Sequence, residues 1–336
     1  MAGTPVGSEM THNGLQALPI SHQALSGGDS VARFLAAKFI AGQSAVLLRY
    51  GDTGGRIMAR PPPGTREYAY LQDFLGASVT SDQVAWMAMK IEESVSVADV
   101  IGLRSDLLGP IDIPDDFFSG ADDSLRSRLV ELYPIRPIEQ KTLSPDGARR
   151  LGETRRAMQN MRLPRNALLT DAWVHVTLAE NGFLSALLRQ ASGVAICTSS
   201  LQRTVVREVN AALEGRLRLF ECPAHPTAER QWGGDHSFLW NRWQALTDAM
   251  IPAYPGEPLL ISAGIWTKII APEWAKNGGI AIDMGSVMDY FALSPSRPAV
   301  LATRYNDPRN VPNHFSIENQ LKRHERIEDF LVIAEN

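Results

Sequence analysis

The sequence is poor in cysteine and lysine and has no long apolar run. Its two cysteines, Cys197 and Cys222, fall in no CxxC pattern, which excludes a disulfide framework and a four-cysteine zinc site. A reducing, cytoplasmic setting is therefore expected. Cys222 and His225 form a lone CxxH without a second half, too few ligands for a structural zinc ion. The most apolar segments, residues 34–50 and 259–271, are interrupted by Lys38 and Lys268, so neither reads as a transmembrane segment. Positive charge is not in excess either: the net charge is −4 and the isoelectric point near 6.0, which argues against nucleic acid as a partner. There is no P-loop, no GxGxxG and no repeat, so the common phosphate-binding fingerprints are missing. The first 28 residues lack a basic stretch followed by an apolar one, and residues 1–28 read as a mobile tail.

What is present is ordinary for a globular chain. The 336 residues are 44% hydrophobic and 21% charged, enough to fill the core of one large domain or two smaller ones. Asp29 or Ser30 can cap a first helix that ends at Gly42. A short apolar run, residues 44–49, then reads as a buried strand, followed by a turn-rich loop from Tyr50 to Gly55. A second helix is expected over 82–97 and a strand over 98–103. Residues 104–146 are irregular and read as an insertion, and Ser144-Pro145 opens an arginine-rich helix. Further strands are expected at 167–170, 194–198, 217–222, 259–263 and 280–283, with helical spacing over 174–189 and 205–213. Strands alternating with helices predict an α/β fold, a mostly parallel Rossmann-like sheet with helices on both faces. A charged helix over 317–333 is expected to pack on the domain or on a second copy of the chain.

Ligands of such sheets bind beyond the carboxyl ends of the strands, which directs attention to four strand exits. At the first, Arg49-Tyr50-Gly51-Asp52-Thr53 places a guanidinium and a carboxylate around a glycine turn. Such a pair suits phosphate and a divalent ion, or else an internal ion pair that secures the turn. At the second, Gly264 and Lys268 sit where a strand runs into a helix, a geometry that can receive an anion. At the third, residues 278–289 end a strand in Asp283, Gly285, Ser286 and Asp289. These groups can meet a ribose or sugar hydroxyl, or simply cap the turn. At the fourth, Asp171 and His175 stand four apart and can share a helix face, where a carboxylate could orient an imidazole as a base. His236, following Asp235, has similar standing.

These blocks, in this order, resemble the GT-D-type glycosyltransferase superfamily. Its domain opens on a strand and Arg-Phe/Tyr-Gly-Asp-x-Glu and closes near Gly-Gly-Ile/Val-Ala-x-Asp-x-Gly-Ser-x-x-Asp. Here the two segments read Arg49-Tyr-Gly-Asp-Thr-Gly54 and Gly278 to Asp289. The resemblance covers residues 30–293 and implies one nucleotide-sugar domain over 29–293; beyond it, residues 294–336 read as a helical extension that can pack on the domain or join two copies as a homodimer. The implied activity is hexosyl transfer from a uridine diphosphate sugar to a glycan or protein hydroxyl. Asp52 would hold a divalent metal, manganese or magnesium. Arg49, Tyr50, Gly51, Thr53, Gly264, Lys268, Asp283, Gly285 and Ser286 would bind the donor. Asp171, His175, His236 and Asp289 are the candidate bases. Two positions depart from the pattern: Gly54 replaces the second acid, for which Glu67 is a candidate substitute, and Thr267 replaces the glycine before the lysine. Gly54 raises the alternative of a nucleotide-sugar or glycan-binding protein of the same fold without turnover, and an unrelated Rossmann-like enzyme such as a methyltransferase is a separate alternative.

Overall fold

The computed structural model describes residues 15–17, 26–103, 161–198, 207, 210–211, 213–222, 236–285, 287–288 and 317–331. The expected insertion at 104–146 and the arginine-rich helix lie outside the described residues, as does most of 205–213. The chain begins with β1 (Leu15–Ala17), then α1 (Gly28–Ile40), β2 (Ala45–Tyr50), α2 (Asp52–Met58), α3 (Arg66–Leu75), α4 (Ser81–Val97) and β3 (Val100–Leu103). It continues through β4 (Arg162–Pro164), β5 (Leu168–Asp171), α5 (Val174–Glu180), α6 (Phe183–Gln190), β6 (Val194–Thr198) and β7 (Leu217–Glu221). Next come α7 (His236–Ala249), β8 (Pro258–Ser262), a 3-10 turn (Gly264–Trp266), α8 (Thr267–Lys276) and β9 (Ile280–Asp283). The last elements are α9 (Ile317–Leu321) and a 3-10 turn (Ile327–Leu331).

Seven strands form one sheet in the order β5-β3-β2-β9-β8-β6-β7, and every neighbouring pair is parallel. Alternation along each strand explains the layering. Val46, Leu48 and Tyr50 of β2 join a core with α4 and α8, while Ala45 and Leu47 join a core with α1, α5 and α6 on the other face. Both faces are covered, as the near-continuous apolar strands require.

The strand order sets up a crevice. The chain leaves β2 toward the α4 face, where Ile57 of α2 is buried, but it leaves β9 toward the α1 face, where Met284, Val287 and Met288 are buried. Adjacent strands whose exits diverge to opposite faces open a cleft at their carboxyl ends. The carboxyl ends of β2 and β9 carry Arg49 and Asp283.

Several expectations change in detail. The turn-rich Tyr50–Gly55 segment is a helix from Asp52, with Gly51 as its cap. The helical stretch over 174–189 is two helices, broken where Gly182 takes φ +88°, a conformation that glycine adopts without strain. The helix at 82–97 starts one residue earlier because Thr80 and Gln83 form a capping box. Within the segment read as a tail, β1 pairs antiparallel with β4, and the Ser26 N–H donates to the Leu169 carbonyl at 2.6 Å.

The charged helix expected at 317–333 is a short helix followed by a 3-10 turn, and it packs on its own domain. Ile327 and Phe330 are buried, and the Phe330 ring meets Phe183 edge-on at 5.5 Å. Arg323 donates to the carbonyls of Ala179 and Glu180 at 3.3 and 2.8 Å, satisfying the free end of α5. No helix among the described residues is long and apolar enough to cross a membrane.

Candidate functional site

All four strand exits contribute to one cluster. Arg49 lies one residue before the end of β2, with its side chain on the α5 face. Its Nε donates to the Asp283 carbonyl at 3.1 Å, Nη2 to Asp283 Oδ1 at 3.0 Å and Nη1 to the Ala172 carbonyl at 3.0 Å. The same Nη1 lies 3.1 Å from Nδ1 and 3.2 Å from Nε2 of His175. A guanidinium offers only donors, so the imidazole nitrogen bonded to it acts as the acceptor. His175 is fully buried on α5 and stacks against Trp173.

Lys268 enters from the opposite face. It is buried in the second turn of the run that starts at Gly264, and its Nζ donates to Asp283 Oδ2 at 2.6 Å. The turn that aims it is anchored by Trp266, stacked on Trp243 with ring centroids 4.6 Å apart. Thr267 is buried here, and its hydroxyl accepts from the Ala263 N–H at 3.3 Å. The Lys268 ammonium also lies 5.2 Å from the centre of the Tyr50 ring, and the Tyr50 hydroxyl bonds Ser94 at 2.9 Å. Tyr50 is thus a core residue under the cluster, and burial pushes its phenol well above the ordinary range against the opposing Ser94 bond.

Asp283 is the hub. Besides Arg49 Nη2 and Lys268, it accepts from the backbone N–H groups of Arg49 at 3.2 Å and Gly285 at 3.2 Å. Those four bonds fill the lone pairs of a carboxylate. Burial alone would push its carboxyl up, but the charges and hydrogen bonds of Arg49 and Lys268 outweigh this and hold it well below the usual carboxylate range. Lys268 moves downward: its own burial exceeds the upward pull of Asp283. Two cations thus share one anion at the floor of the crevice.

Two glycines make room for the arginine. A Cβ at Gly285 would stand 1.8 Å from Nη2 of Arg49, and one at Gly102 on β3 would stand 3.1 Å from its Cγ and 3.2 Å from the Ala172 Cα. Gly285 also takes φ +43°, so glycine is required there for both reasons. The part played by Gly102 is invisible in the sequence, because it depends on which strand lies beside β2. His175 was legible as a chemically competent residue, but its partner was not.

The remaining candidates are placed as follows. Asp52 opens α2, and Thr53 follows it half-buried. Gly264 takes φ +56° in the turn after β8. Asp171 ends β5, and its Oδ1 accepts from the Trp173 N–H at 2.7 Å, closing the turn into α5. His236 opens α7, and Glu67 lies in the first turn of α3. Ser286, Asp289 and His225 lie outside the described residues. Cys197 and Cys222 are buried free thiols.

Whether the described groups suit a divalent ion can be judged from their chemistry. Position 54 faces the apolar Ile265, whose Cδ1 is 3.8 Å from where a Cβ would be. Asp283 has no lone pair to spare and stands between two cations. Among the described residues no three acidic, histidine or cysteine side chains are grouped as metal ligands. Of the described side chains at the crevice floor, Arg49, Lys268 and Asp283 do not fit a divalent metal; the side chain of Asp52, the residue the resemblance assigns to it, is not among those described.

Gly54 is also a stability test. Its helical position has room for a methyl group, so Gly54→Ala is expected to raise stability by about 0.5–1 kcal/mol through lower chain entropy in the unfolded state. Urea unfolding would read this. A loss instead would mean that the backbone at position 54 needs the freedom of glycine.

The class these features define is an α/β protein with a doubly wound, all-parallel Rossmann-like sheet and a charged cluster at its strand-order crevice. Set against known proteins, the chain matches no family model, and no curated protein and no solved structure is similar to it.

Proposed function

We propose that the protein transfers a sugar from a nucleotide diphosphate donor, of the uridine class, to an acceptor hydroxyl. The observation that supports this most is the convergence of Arg49, Lys268 and Asp283 at the carboxyl ends of β2 and β9. Two cations against one anion leave a net positive charge where an open α/β sheet takes its ligand. Charge developing on a leaving diphosphate is stabilised by cations already fixed in place, an effect worth roughly 10²–10³ in rate.

In the reaction the bond from the anomeric carbon to the diphosphate oxygen breaks, and its electron pair leaves with the diphosphate. The acceptor oxygen forms the new bond and gives its proton to a base. His175 is enclosed and engaged with Arg49, a role that holds the cation in place. Asp171, half-buried at the end of β5, is the described candidate for the base. Asp171→Asn is expected to lower transfer about 10²–10⁴-fold and to leave donor binding within a few-fold. An unchanged transfer rate would remove Asp171 from this role.

A second reading is favoured by the apolar surroundings of Gly54: a protein that binds the donor without turning it over. Radiolabelled donor incubated with candidate glycan and protein acceptors separates the two. Transfer or donor hydrolysis supports the enzyme, and tight binding with neither supports the binding protein.

A further inference from the structure

We infer that the crevice floor neutralises a bound diphosphate with side-chain cations and needs no divalent metal. This rests on the reading of the crevice as a diphosphate site and adds how that site carries charge. Lys268 is 5% exposed, and among the described residues its one hydrogen-bond partner is Asp283. An ammonium has three donors, so two are left for an anion. Arg49 keeps one Nη2 hydrogen beyond the bond to Asp283, and its side chain is 18% exposed. It is therefore the member of the cluster that reaches the crevice surface.

A divalent cation at the same floor would meet both charges at close range. Among the described side chains, the carboxylate bonded to both cations, Asp283, is saturated by four hydrogen bonds and cannot also ligate it. A second carboxylate at position 54 would sit against Ile265 rather than in the charged cluster. An anion reverses every one of these penalties. It neutralises the surplus charge, occupies the spare donors and leaves the Asp283 bonds intact.

The test is calorimetric titration of the full chain with uridine diphosphate, once in excess EDTA and once in manganese. Affinities agreeing within about threefold are expected, and Lys268→Met is expected to weaken binding in EDTA by about 10–100-fold, the worth of a charge-assisted hydrogen bond. Binding that requires manganese overturns the inference. If uridine diphosphate binds in neither buffer, the nucleotide reading fails separately. Inorganic pyrophosphate in EDTA then decides the metal-free cradle: a raised melting temperature in the wild type supports it, and no shift overturns it. Where Lys268→Met does not fold, Lys268→Arg keeps the charge and is expected to retain metal-free binding.

Discussion

Asp283→Asn is expected to cost about 3–5 kcal/mol of folding stability, the penalty for removing one partner of a buried ion pair. The asparagine amide turns a donor toward Arg49 or Lys268, and the buried Lys268 and half-buried Arg49 then face each other without an anion. Urea unfolding at neutral pH measures the loss. A cost below about 1 kcal/mol would show that the cluster relaxes into water on losing its hub. Adding Lys268→Met to the asparagine variant removes one of the stranded charges and is expected to recover part of the loss, as coupled neighbours do.

The same group sets a pH dependence. Its folded-state carboxyl lies well below the unfolded value of about 3.9. The unfolded chain therefore binds the proton first on acidification. The stabilisation is complete above about pH 4 and drains away as the pH falls toward the folded-state value. The asparagine variant is expected to lack that part of the acid slope.

Gly285→Ala should be as damaging to function as removal of a charged group, though it adds only a methyl. The new Cβ would overlap Arg49 Nη2, part of a guanidinium held by the Asp283 carbonyl and carboxylate, the Ala172 carbonyl and His175. Either the guanidinium leaves Asp283 or the β9 exit shifts, and both misplace the cation that faces the crevice. Donor turnover is expected to fall roughly 10²–10³-fold, as for loss of a prearranged charge. The stability cost is expected to be about 1–3 kcal/mol from overpacking and the positive φ. Turnover near the wild-type value would mean that the position of Arg49 does not matter to the reaction.

Most strands were legible because they are short apolar runs without helical spacing, and all seven members of the sheet, β7 with its Arg218 and Glu221 included, fall within a few residues of where the sequence puts them. The helices were harder. Asp52–Met58 contains two glycines and reads as a turn, yet it is helical because it packs under α4 and the Gly264 turn. The β1–β4 pair was missed because a three-residue strand has no period to detect.

At the site, Arg49, Lys268 and Asp283 could each be named from its block, but not their bonds to one another. Arg49 and Asp283 are 234 positions apart, and only the parallel pairing of β2 with β9 brings them together. The sequence leaves each open to a ligand or to a structural role in its own turn. The structure shows that Asp283 spends its whole carboxylate on Arg49, Lys268 and the Gly285 N–H.

The claim that this crevice takes a nucleotide diphosphate sugar is tested most directly by thermal melting of the wild type and Arg49→Met with a panel of nucleotide sugars. Binding to the native state raises its apparent stability by mass action, by about 2.7 kcal/mol at a hundredfold excess over the dissociation constant. A rise in melting temperature with uridine diphosphate sugars, absent in Arg49→Met, is the predicted result. No shift with any member of the panel, or an equal shift in both proteins, would contradict it.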